Sequence, residues 1–199
     1  LRQDENAVSV IGSFNSEARY TSIDGQDLSV LQTTGRGYFV VGLLGVGQEP
    51  TNHALKDIAL RRQELEAWGR TLLLLFPSRQ DYDKYMKDPI AGLPSNVVFG
   101  IDESGAITSE IRQGMKLDEQ TPLPYILIGD TFNRVVFESH GYTIGLGDQL
   151  VKVIKNISTA QQLPWDNAST EPYVPTAENL AEREAFQDTH FGIFLHWGL

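Results

Sequence analysis

The sequence predicts an α/β domain: a central mixed sheet flanked by helices, with an N-terminal β-hairpin in front and a C-terminal linker, helix and strand extension behind. Three observations carry this. Tyr38–Gly45 (YFVVGLLG) and Thr71–Phe76 (TLLLLF) are apolar runs without alternation, as expected of strands covered on both faces. Between them Leu55, Ile58, Leu65 and Trp68 recur at helical spacing. Tyr125–Gly129 and Arg134–Ser139 flank the turn Asp130-Thr-Phe-Asn133, so a hairpin pair joins the parallel strands.

The elements follow in order. Val8–Phe14 is rich in β-branched residues and reads as a strand; Asp24-Gly25 is a hairpin turn, with Leu28–Thr33 as a second strand. Pro50 suits the first turn of a helix that Gly69 stops after Trp68. Ser78 with Asp81 resembles a capping box, and Tyr82, Tyr85 and Met86 give the next helix an apolar face. Asn96–Ile101 is a third strand. Ile107, Ile111 and Met115 mark a helix, and Leu150, Val151, Ile154 and Ile157 a closing one. From Ser158 to Pro175 the composition turns to Ser, Thr, Gln and Asn with Pro164, Pro172 and Pro175, which reads as a linker. Thr176–Asp188 reads as a helix and Phe191–Leu199 as an apolar strand. The divisions are therefore an N-terminal β segment (1–34), a central domain (35–157), a linker (158–175) and a C-terminal fragment (176–199).

Composition removes whole classes of function. The chain has 199 residues, no cysteine, and 16 Lys+Arg against 26 Asp+Glu, a net charge of -10. Without cysteine there is no disulfide, no thiolate nucleophile and no Cys-ligated metal centre. The acidic balance argues against nucleic acid as a partner. No apolar run is long enough to span a membrane, and no basic-then-apolar leader opens the chain.

The order of strands and helices, with a proline directly before the fourth strand, resembles the thioredoxin fold over residues 35–157. Such domains carry a redox dithiol at the first turn of the helix after a central strand, with a facing cis-proline. Here that turn reads Gly47-Gln48-Glu49-Pro50-Thr51, and the cis-proline implied by the resemblance is Pro124. Gln48 and Thr51 stand where the cysteines would. Neither can attack sulfur, so thiol–disulfide exchange is not expected. The turn is then either plain scaffold or a site whose backbone N–H groups and cis-proline edge hold an extended peptide. In the second case replacing Gln48 or Thr51 by Ala is expected to weaken a partner and leave the melting temperature alone.

Thr34–Asp57 and Leu123–Leu150 look like a thioredoxin-like module appended to secreted bacterial transglutaminase-like proteins. That resemblance implies an accessory role and a periplasmic or extracellular location. Tyr173–Thr176 through Phe191-Gly-Ile-Phe-Leu-His196-Trp197-Gly198 resembles the opening of the catalytic barrel of glycoside hydrolase family 29 α-L-fucosidases. There His196 and Trp197 would line the fucose subsite, by hydrogen bonding and ring stacking. The nucleophile and general acid of that family are absent, and one strand cannot close a barrel. No catalytic residue is therefore assigned.

Remaining candidates have plain readings. His190 and His196 are six apart with no third ligand near, so no metal and no cofactor is expected. His53 reads as exposed. Asp102-Glu103, Asp118-Glu119 and Glu182–Glu184 read as solvated loop or helix faces, and Asp102–Gly105 as a turn. Three functions remain: a non-catalytic accessory domain preceding a fucosidase, the N-terminal part of an α-L-fucosidase acting on fucosylated glycans, or a peptide-binding module using the degenerate turn. The partners expected are a fucosylated glycan or glycoprotein, and a second copy docked through the C-terminal tail.

Overall fold

The computed structural model describes residues 8–45, 47 and 49–162. The predicted helix at 176–188, the strand at 191–199, Gln48, His196 and Trp197 lie outside the described residues. The described elements belong to one compact unit, Leu1–Gln161.

β3 (Tyr38–Leu43), β4 (Leu72–Phe76) and β5 (Val97–Ile101) run parallel at the centre of the sheet. β3 and β4 alternate between two cores, while β5 turns Val97 and Phe99 to the first and leaves Val98 exposed. Val40, Leu72, Leu74 and Phe76 face one, where α2 (Glu49–Leu60), α3 (Arg62–Trp68) and α6 (Leu146–Gln162) supply Leu55, Ile58, Leu65, Leu150 and Ile154. Phe39, Val41, Leu43, Leu73 and Leu75 face the other, where α1 (Val30–Thr34) and α5 (Ala106–Met115) supply Val30, Ile107 and Ile111. Two apolar faces per strand account for the unalternating runs. β6 (Tyr125–Asp130) and β7 (Val135–His140) pair antiparallel beyond β3, and β1 (Arg19–Ser22) with β2 (Asp27–Ser29) pair antiparallel beyond β5. The sheet order is β2-β1-β5-β4-β3-β6-β7.

Several expectations need correcting. Val8–Phe14 is not a strand: its one ladder contact is the bridge of Gly12 to Val135. The segment instead crosses onto α5, where Ser13 N–H donates to the Gly114 carbonyl at 3.1 Å and Phe14 packs edge-on against Phe39. A Cβ on Gly114 would stand 1.8 Å from the Ser13 carbonyl oxygen, so this approach requires glycine. The Asp24-Gly25 turn joins β1 to β2, but the second strand ends at Ser29. There Ser29 and Gln32 form a capping box that starts α1, which competes with extended pairing. The Pro50–Trp68 helix divides at Arg61 into α2 and α3, with Gly69 the left-handed cap of α3. Met86 ends α4 (Arg79–Tyr85) exposed, while Tyr82 and Tyr85 pack on Phe76. α6 runs on through Gln162, so Ser158–Gln162, read as the start of a linker, is helical.

Candidate functional site

β3 and β6 are neighbours with Leu43 opposite Tyr125. The turn after β3 and the proline before β6 therefore meet at the same end of the sheet. That end also gathers the carboxyl ends of β3, β4 and β5, where α/β folds place ligands.

The Leu123–Pro124 peptide bond is cis, as the resemblance implied. The Pro124 carbonyl accepts the Gly141 N–H at 3.0 Å, tying the proline to the loop after β7. Across from it, Gly47 takes a left-handed conformation (φ 70°), and Glu49 and Pro50 open α2. Thr51 is 4% exposed, and its Oγ1 accepts the Gly45 N–H at 3.0 Å. The hydroxyl thus satisfies a backbone donor of the turn. Removing it strands that donor, so Thr51→Ala carries a stability cost, against the sequence expectation that it would leave melting alone.

Beside the proline, a cleft of about 170 Å³ has an apolar floor of Leu43, Leu75, Phe76 and Leu123. Arg112 and Glu119 stand on its walls, and no ion pair joins them. Asp102 also reaches this cleft. Read from sequence as a solvated turn residue, it is 5% exposed. Its carboxylate accepts the Ile107 N–H (3.0 Å), the Thr108 N–H (2.8 Å) and the Thr108 hydroxyl (2.6 Å), capping the first turn of α5. Gly105, the N-cap residue of α5, has no side chain to do this, so the cap comes from three residues earlier.

Two further groups escaped the sequence reading. Tyr125 is buried, and its hydroxyl donates to Glu138 on β7. Burial first, then the hydrogen bond and charge of Glu138, hold its phenol far above the usual tyrosine range. His53, read as exposed, is half-buried and stacks on Tyr142 with ring centres 4.6 Å apart. Its Nε2 lies 3.6 Å from Asp57 Oδ2, which in turn accepts the Leu146 N–H at the start of α6. Among the described residues no group of three His, Cys, Asp or Glu side chains gathers to hold a metal. No helix among them is long and apolar enough to cross a membrane.

Solved structures share this architecture. BsSco, a member of the Sco family of cytochrome c oxidase assembly proteins, aligns with a TM-score of 0.57 at 12% identity over 78% of this chain and 99% of its own. The bacterioferritin comigratory protein of Xanthomonas campestris aligns at 0.56 and 11% identity over 75% and 99%. A putative thiol:disulfide interchange protein DsbE from Chlorobium tepidum aligns at 0.54 and 13% identity over 76% and 99%. The fold is thioredoxin-like. These thioredoxin-like neighbours are described by disulfide and peroxide chemistry, whereas this chain contains no cysteine. No family model and no curated protein matches the chain, so the transglutaminase-module and fucosidase resemblances rest on their motifs alone.

Proposed function

We propose that this chain is a thioredoxin-like accessory domain that acts by holding a partner and not by thiol chemistry, and that it accompanies an α-L-fucosidase catalytic domain acting on fucosylated glycans outside the cytoplasm. The observation that carries the first half is Thr51. It stands at a dithiol position by the thioredoxin resemblance, it is buried, and its hydroxyl accepts the Gly45 N–H. The second half is supported by the F-G-I-F-L-H-W-G run alone. The test is an L-fucose titration of the whole chain followed by tryptophan fluorescence, beside Trp197→Phe. A saturable change that the variant abolishes supports a sugar-site role for His196 and Trp197; a flat response in both contradicts it.

A second reading is favoured by the cleft beside Pro124. Its apolar floor with Arg112 on the wall suits an extended peptide that offers an apolar side chain next to an acidic group. Arg112→Glu would then weaken such a peptide about ten-fold or more, since it replaces an attraction by a repulsion. Equal binding by the wild type and this variant would contradict the reading.

A further inference from the structure

A second cleft, of about 320 Å³, opens at the opposite end of the sheet, by the amino ends of β3 and β4. It is lined by Arg36, Gly37, Tyr38, Trp68, Arg70 and Ser158. From this cleft we infer that the domain has a binding site for an acidic sugar, with the acid group on the two arginines and the ring against Trp68 and Tyr38. The inference is independent of the function proposed above.

The charge balance points to an anion. Arg19, Arg61, Arg62, Arg79 and Arg134 each hold a carboxylate. Among the described residues Arg36 and Arg70 hold none, and no carboxylate lines their cleft. Arg112, the other described arginine without an ion pair, shares its cleft with Glu119. In a chain of net charge -10, both arginines line one cleft, and among the described residues neither has a counterion. Two guanidinium groups that line one cleft can share a single anion.

The geometry is prepared for that anion. Nε of Arg70 donates to the Tyr38 carbonyl at 2.8 Å, and Nη2 donates to the carbonyls of Thr34 and Arg36. Three backbone acceptors thus fix the plane of the guanidinium, and Nη1 has no partner among the described residues. Gly37 makes room for this arrangement: its φ is +105°, and a Cβ there would come within 3.1 Å of Arg70 Nη2. A guanidinium whose rotamer is already fixed loses less entropy on pairing than a free one.

The remaining lining selects the rest of the ligand. Trp68 and Tyr38 are half-buried aromatic side chains of the kind that cover the apolar face of a sugar ring. The Ser158 hydroxyl donates to the Ile154 carbonyl at 2.9 Å, which leaves its lone pairs to accept a ligand hydroxyl. Acid, ring face and hydroxyl groups together describe a uronic acid or a sulfated sugar.

The test is a titration of the whole ¹⁵N-labelled chain with sodium glucuronate, with glucose and inorganic sulfate as controls. The amide of Gly37 and the indole of Trp68, assigned with Trp68→Phe, are the reporters. The expected result is saturable shifts at both with glucuronate, binding at least about ten-fold weaker with glucose, and an about ten-fold loss of glucuronate affinity in Arg36→Ala at unchanged melting temperature. Absence of saturable shifts overturns the inference. So does glucose binding as tightly as glucuronate, or sulfate matching the glucuronate affinity without moving the Trp68 indole.

Discussion

The Thr51 hydroxyl accepts the Gly45 N–H at 3.0 Å from a side chain that is 4% exposed. This side chain closes the backbone of its own turn. At the same end of the sheet the Leu123–Pro124 peptide bond is cis.

Thr51→Ala should destabilise the domain by about 1–2 kcal/mol, because Gly45 loses its acceptor in a buried turn. Thr51→Ser, which keeps the oxygen, should recover most of that. Urea melts of the three proteins decide it: equal midpoints for wild type and Thr51→Ala would mean the hydrogen bond contributes nothing.

Asp102→Ala removes the group that caps the start of α5 and should cost about 2 kcal/mol. The denaturant dependence should keep its slope while the midpoint falls, since the unfolded surface is unchanged.

Alkaline pH should unfold the protein through Tyr125. Its folded phenol titrates above its unfolded counterpart, whose pKa is about 10. The neutral phenol is therefore favoured in the fold, and the associated stability is complete below pH about 10 and declines as pH rises beyond it. Tyr20 and Tyr85 shift in the same direction by burial. Tyr125→Phe should flatten the alkaline limb of the melting curve relative to wild type; an unchanged limb would assign the whole effect to the other tyrosines.

Gly114→Ala should detach the N-terminal segment from α5, given the 1.8 Å approach of the added Cβ to the Ser13 carbonyl. Hydrogen exchange at the Ser13 and Ile11 amides should rise well before exchange in β3 or β4. Unchanged protection at Ser13 would show that α5 shifts to accommodate the methyl group.

Much of the fold was legible because its signals are local. Tyr38–Gly45 and Thr71–Phe76 declare burial on both faces by lacking alternation, and Pro124 marks its own turn. The hairpin turn at Asp24-Gly25 was readable for the same reason. What escaped depends on tertiary partners. The Val8–Phe14 run has strand composition, yet β7 offers it one bridge, and α5 takes the rest through Gly114. The β-rich stretch Leu28–Thr33 reads as a strand, and the capping pair Ser29 and Gln32 within it turns the chain into α1. Asp102 looks like a turn acid until α5 is seen to start without a capping side chain of its own. His53 needs Tyr142, far along the chain, to become a stacked residue, and Arg36 and Arg70 become a pair only once β3 and β4 lie side by side.

The most direct test of the central claim is thiol-driven reduction of insulin by the wild-type chain and by the double variant Gln48→Cys/Thr51→Cys. The account predicts no turnover above the thiol background for the wild type. A reversible internal disulfide with measurable turnover is expected of the variant, since Thr51 lies in the first turn of α2 at the sheet end that carries the cis Leu123–Pro124 bond. Turnover by the wild type, or a variant whose two cysteines never bond, would contradict it.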